Sequence, residues 1–286
     1  MKTIKYFIQF LIIFILFLVF KVLGLKFASY ISGKIVSFIG PFFRSKNIIK
    51  SNILKALPNS SKDEINKISK MMWHNYGRIL AEYIFIKEFR MSKVKNSIKI
   101  IGQRKLDAIK ESNEPVIFIS GHFNNFELMA MHLEKSGINL AAVYRPLNNK
   151  FLNFIMEKIR KKYICKNQIK KGISGTRQLL SFFKKKTSIA LMIDQRVSQG
   201  VKSNFFQHGA FTTTIPAQFV KKFKCKIVPI YIERTQGVNF RLTIHDPLEY
   251  SNTESVESIT LSLNILLEKM ILKNPEQWIW SHDRWK

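Results

Sequence analysis

Acidic residues are scarce in this chain. Nineteen Asp and Glu stand against 47 Lys and Arg in 286 residues, a formal charge of +28. An excess of that size leaves three classes in contention: a nucleic-acid binder, a protein on an anionic membrane, or an enzyme with acidic partners. Cysteine is rarer still. Cys165 and Cys225 are the only two, with no CxxC or His-rich spacing, which argues against a disulfide framework or a zinc site and suits a reducing compartment. Neither GxGxxG nor GxxxxGK[ST] occurs, so a dinucleotide fold or a P-loop has no support. Helix-turn-helix, zinc-finger, RRM and KH signatures are also missing, and the basic residues are spread along the chain instead of forming a block. No nucleic acid is therefore expected as a partner. No internal repeat or low-complexity linker divides the chain, and 46% hydrophobic content over this length suits one large domain with a real core.

The long apolar run is at the amino terminus. Residues 6–20, YFIQFLIIFILFLVF, have Lys2 and Lys5 before them and Lys21 after. Counted from Ile4 to Leu25, the segment just spans a bilayer, or it lies in one leaflet as a monotopic anchor. It lacks a convincing cleavage site, and VLGLKFASYIS continues amphipathically. Basic residues after it (Lys21, Lys26, Lys34, Arg44, Lys46, Lys50) outnumber those before, which favours a cytoplasmic body.

Residues 47–93 read as helical. Ser60 and Ser61 offer caps, Asp63 and Glu64 load the first turn, and Ile65, Ile68, Met72, Tyr76, Ile79 and Tyr83 form an apolar stripe. Asn75 and Glu82 lie on the same helix and receive no role. Further on, strands are expected at 116–119, 138–143, 188–193, 227–233 and 240–245. They alternate with helices through 126–133, over 149–163, over 174–185 and over 254–272. Such alternation implies an α/β fold with a mostly parallel central sheet flanked by helices.

The richest stretch is PVIFISGHFNNFE, residues 115–127. Val116 to Ile119 reads as a strand buried on both faces, broken by Ser120-Gly121, with Asn124 or Asn125 as the cap of the next helix. His122 then lies at the carboxyl end of a strand, where open α/β sheets bind ligands. Glu127 follows five positions later, and none of the other five histidines has an acid at that offset. With His122 in the loop, the Glu127 carboxylate is expected to reach one imidazole nitrogen and leave the other free as a base. Arg145, after the second strand, shares that edge and suits phosphate. Asp194 and Gln195 end another strand. Thr212, Thr213 and Thr214 before Pro216 read as a helix cap or as ligand contacts.

In order, GHFNNFE, VYRPLNN, GTRQLL, the DQ strand end, FFQHGAFTTTIP, VPIYIER and PEQWIWSHDRWK resemble the late acyltransferases of lipid A biosynthesis, within the wider lysophospholipid acyltransferase superfamily. The resemblance implies a glycerolipid acyltransferase-like fold with a membrane anchor over 1–28 and an acyltransferase domain over 29–286. That domain divides into a helical part, 29–100, and an α/β core, 101–286. It also implies an enzyme of the bacterial inner membrane, facing the cytoplasm, that moves an acyl chain from acyl carrier protein to a hydroxyl of a phosphorylated glycolipid of the Kdo-lipid IVA type. His122 and Glu127 map onto the catalytic pair. Arg145 and Arg177 map onto recurrent basic positions, and Asp194, Gln195, Phe206, Gly209 and Thr212 to Thr214 onto the substrate-binding stretches. Arg196 departs from the acidic or neutral residue expected after DQ, which leaves substrate detail open. A thioester is already activated, so neither cofactor nor metal is expected. Two rivals stand beside this reading: an acyltransferase of the same superfamily with another acceptor such as a lysophospholipid, and a membrane-tethered basic binding protein.

Overall fold

A computed structural model describes residues 2–94 and 96–286. Five helices precede the sheet: α1 (Lys2–Leu23), α2 (Leu25–Ile39), α3 (Lys46–Ala56), α4 (Lys62–Glu82) and α5 (Ile86–Arg90). Then follow β1 (Ile98–Ile101), α6 (Gln103–Ser112), β2 (Ile117–Ser120), α7 (Glu127–Lys135), β3 (Leu140–Tyr144), α8 (Lys150–Ile159), β4 (Asn167–Lys170), α9 (Ile173–Lys184) and β5 (Ser188–Met192). A hairpin of β6 (Val201–Phe205) and β7 (His208–Thr212) leads to α10 (Ile215–Phe223), β8 (Ile227–Gln236), β9 (Asn239–Ile244) and α11 (Val256–Lys273).

α1 is long and apolar enough to cross a membrane, and only Phe20 of it is buried. The apolar run does not continue unbroken to Leu25 as expected, because the chain turns at Gly24, whose φ of 75° is open to glycine without penalty. Near its start α1 lies against α8: Phe7 and Phe151 meet edge to face at 5.5 Å, and the Tyr6 carbonyl accepts from Asn149 at 2.8 Å.

The expected stripe on α4 is buried at Ile65, Ile68, Met72 and Tyr83, and Ser61 with Glu64 forms a reciprocal capping box. α4 crosses α2 at very short range. The Ser32 hydroxyl donates to the Gly77 carbonyl at 2.6 Å, and a Cβ on Gly77 would lie 2.2 Å from the Ser32 carbonyl oxygen.

The sheet has seven strands in the order β1-β9-β8-β2-β5-β3-β4. β8 and β9 pair antiparallel, and the other neighbours pair parallel. β2 is central, and all four of its residues are buried, as a strand covered by helices on both faces requires. β1, α6, β4 and the β6–β7 hairpin had no counterpart in the sequence reading. β1 and β4 are four-residue edge strands whose polar or alternating sequence carries little periodic signal. The carboxyl terminus folds as a short 3₁₀ turn, Pro275–Gln277, and then irregular chain, with Trp278, Trp280 and Arg284 buried.

Candidate active site

The parallel pairing of β2 with β5 and of β5 with β3 brings the carboxyl ends of adjacent strands together. His122 follows β2 and Asp194 follows β5, so two residues 72 apart in the chain meet across one strand spacing. His122 Nδ1 lies 2.8 Å from Asp194 Oδ1, and the His122 backbone N–H donates to Asp194 Oδ2 at 2.8 Å. The Trp278 indole donates to the same Oδ2 at 2.8 Å. Asp194 is fully buried. Burial alone would raise its carboxyl pKa, but the charge of His122 and these hydrogen bonds outweigh it and hold the group down at about 2. An ionised carboxylate only accepts. The proton therefore sits on Nδ1, and Nε2 keeps its lone pair.

This corrects the expectation for Glu127. Its carboxylate does not hold the imidazole: Arg160, just past α8, donates to Glu127 Oε1 from Nε at 2.9 Å and again from Nη2. Glu127 is the first residue of α7, and Arg160, also buried, needs an anionic partner. Asn124 and Asn125 do not cap α7 either. The cap position is Phe126, whose ring packs edge to face on His122 at 4.8 Å. Asn124 instead donates to Asn75 Oδ1 and Gln277 Oε1, and Asn125 donates to Glu82 Oε2 at 3.0 Å. Asn75 and Glu82, left without a role by the sequence, thus hold the His122 loop from α4. Glu82 also receives Arg234 and the Ser29 hydroxyl, so the loop, β8 and α2 share one buried carboxylate.

A cavity of about 510 Å³ opens over these strand ends. Ala142, Ile164, Ala190, Leu191, Met192 and Ile215 give it apolar lining. His122, Glu127 and Arg160 stand on its wall, and Arg44, Arg145 and Lys171 add positive charge. The Lys171 ammonium is shifted down by burial and by the neighbouring charge of Arg145, with Asp194 opposing. Arg145 and Lys171 together offer positive charge to an anion in the cavity. Gln195 and Thr213 also line the cavity.

Apart from Thr213, the other expected site residues lie outside the cavity lining. Arg177 is exposed on α9. Phe206 sits buried in the tight β6–β7 turn with φ 51°, and Gly209 is exposed on β7 against Lys202. Thr212 is buried and structural: its hydroxyl donates to the Ala210 carbonyl and accepts from Arg284. Thr213 Oγ1 accepts from the Ile215 N–H, which is cap chemistry, and Thr214 occupies the cap position. These residues gather around the hairpin, an element the sequence reading lacked. Missed residues come from the carboxyl terminus, where Trp278 bonds Asp194 and His282 lines the cavity. Three of the chain's four tryptophans fall at 278, 280 and 285, a clustering that carried the signal.

The family model described as bacterial lipid A biosynthesis acyltransferase matches residues 1–286. The chain is 23% identical over 264 residues to a lipid A biosynthesis palmitoleoyltransferase of Escherichia coli strain K12, covering 90% of this chain and 84% of the relative. It is 22% identical over 251 residues to a lipid A biosynthesis lauroyltransferase of the same strain, covering 85% and 79%. It is also 23% identical over 251 residues to a lipid A biosynthesis acyltransferase of Haemophilus influenzae, covering 85% and 78%.

Proposed function

The chain belongs to the bacterial lipid A biosynthesis acyltransferase family, and from that premise we propose that it transfers a fatty acyl group from acyl carrier protein to a hydroxyl of a phosphorylated glycolipid acceptor of the Kdo-lipid IVA type. One observation carries the mechanism. The His122 imidazole is locked through Nδ1 onto a buried carboxylate, with Nε2 unpaired among the described residues at the wall of a cavity lined by apolar side chains and by the cations Arg44, Arg145 and Lys171.

Nε2 takes the proton of the acceptor hydroxyl as that oxygen attacks the thioester carbonyl. The C–S bond then breaks, and the departing thiolate takes the proton back from Nε2. Asp194 orients the ring and stabilises the imidazolium, and general-base help of this kind contributes roughly 10²- to 10⁴-fold. Among the described residues, no serine, threonine or cysteine hydrogen-bonds the His122 ring, which supports direct transfer over an acyl-enzyme. The thioester supplies the driving force, so the route calls for neither nucleotide nor metal. The apolar lining suits an acyl chain, and Arg145 with Lys171 suits an acceptor phosphate. Glu127 with Arg160 forms the charged wall beside the base. The excess of basic residues after α1 favours a catalytic body on the cytoplasmic face of the inner membrane, and the charge of +28 suits both an anionic bilayer and an acidic carrier protein.

The test is acyl transfer in purified membranes. Acyl carrier protein thioesters are offered with a tetra-acylated lipid A precursor, with and without Kdo, beside a lysophospholipid, for wild type and His122→Ala. The expected result is product on the glycolipid that vanishes in the variant. Product on the lysophospholipid alone would replace the acceptor, and activity undiminished in the variant would remove His122 as the base.

A further inference from the structure

His282 is held in a single tautomer by a bond that leaves no choice. The backbone N–H of Arg196 donates to His282 Nε2 at 3.1 Å. A backbone amide only donates, so Nε2 is the lone-pair nitrogen, and in the neutral ring the proton is on Nδ1. Among the described residues, Nδ1 has no hydrogen-bond partner, although His282 lines the same cavity as His122. Burial lowers the pKa of this ring, and the charges of His122, Arg284 and Lys171 lower it further, while Asp194 opposes them. The ring is thus kept neutral without losing its one donor.

The backbone beneath it is equally constrained. Asn52 on α3 donates to the carbonyls of both Trp280 and His282, at 2.9 and 2.8 Å, and Trp280 is fully buried. A donor held this way needs no reorganisation when charge appears in front of it.

Resting on the acyl-transfer reading above, we infer that His282 is a catalytic residue whose Nδ1–H donates to the oxygen of the thioester carbonyl as it becomes an oxyanion. As the acceptor oxygen bonds the carbonyl carbon, the C=O π pair moves onto that oxygen, the hydroxyl proton goes to His122 Nε2, and His282 Nδ1–H binds the new negative charge. When the C–S bond breaks, the pair returns to re-form C=O and the thiolate takes the proton from His122. His282 gives up no proton at any stage. The Arg196 N–H needs the Nε2 lone pair, so the ring donates as a neutral imidazole, which binds the oxyanion without handing over its proton. The two histidines divide the labour through the same Nδ1–H tautomer turned opposite ways: His122 presents its Nε2 lone pair because an acceptor holds its Nδ1, and His282 presents its Nδ1 proton because a donor holds its Nε2.

The experiment compares steady-state kinetics of wild type, His122→Ala, His282→Gln, His282→Asn and His282→Ala with an acyl carrier protein thioester and the tetra-acylated glycolipid, after thermal unfolding has shown which variants fold. An asparagine amide N–H falls near the place of Nδ1–H, whereas the glutamine amide lies one bond further out. His282→Gln and His282→Ala are expected to lose roughly 10²- to 10³-fold in kcat with KM nearly unchanged, the cost of removing one oxyanion donor. His282→Asn is expected to recover at least about tenfold of that loss. If His282→Ala does not fold, the Gln and Asn pair decides. Wild-type kcat in His282→Gln, a loss confined to KM, or equal loss in Asn and Gln would overturn the assignment while a dead His122→Ala left the acyl-transfer reading intact. A wild-type protein that transferred no acyl group would overturn both.

Discussion

Asp194 and Glu127 are both buried carboxylates, and their partners give them different work. Asp194 meets the ring and backbone of His122 and the indole of Trp278, so it fixes a tautomer. Replacing it with asparagine keeps the shape but offers Nδ1 an ambiguous partner. Asp194→Asn is therefore expected to lower kcat by roughly 10²- to 10⁴-fold with little change in KM or in the unfolding midpoint. Glu127 neutralises Arg160 instead. Glu127→Gln strands a buried guanidinium, so it is expected to lower the unfolding midpoint by the equivalent of a few kcal/mol, up to about 5. Measuring kcat and the midpoint for both variants separates the roles. If Glu127→Gln is as stable as wild type, the pair with Arg160 is not what that carboxylate is for.

At the scale of elements, α4 joins the amino-terminal helices to the His122 loop. One side of it meets α2 through Ser32 and Gly77 and through Ser29, Arg78 and Glu82. The same stretch of α4 holds Asn124 and Asn125 through Asn75 and Glu82. The crossing depends on a bare backbone at Gly77, since any Cβ there would collide with the Ser32 carbonyl, which cannot rotate away. Gly77→Ala should destabilise the protein by about 1–3 kcal/mol, the usual cost of overpacking, even though alanine is the better helix former. Chemical unfolding of wild type and variant checks this. A stabilised variant would mean that helix propensity outweighs the contact.

Across the whole molecule, buried histidines tie stability to pH, His74 and His132 most strongly. Burial, reinforced by the charges of Arg78, Arg234 and Lys34 against Glu82, takes His74 down to about 4. Burial and Lys135 do the same for His132. Both start from an ordinary value of 6.5. Below that pH the unfolded chain takes up protons that the folded chain refuses. The contribution is therefore complete above about pH 6.5 and is lost progressively as pH falls towards about 4. Denaturant midpoints measured across that window should fall with pH, and a His74→Gln, His132→Gln double variant should show a shallower fall. An unchanged slope would place the proton uptake on other groups.

Where the determining interaction is local, the order of residues was enough. The apolar period of α4 and the cap at Ser61, the continuous run of β2, the alternation of strands with helices and the length of α1 are all properties of neighbouring residues, and each was legible. So was the position of His122 at a strand end, because a strand followed by a glycine break is a local pattern. Its partner was not. Chain spacing favoured Glu127, five residues on, whereas parallel pairing of β2 with β5 delivers Asp194 from 72 residues away to 2.8 Å. Glu82, Asn75, Trp278 and His282 joined the site for the same reason: strand order and the path of the carboxyl terminus decide which distant side chains meet. A buried carboxylate takes the donors that reach it in space, and separation along the chain sets no limit on which those are.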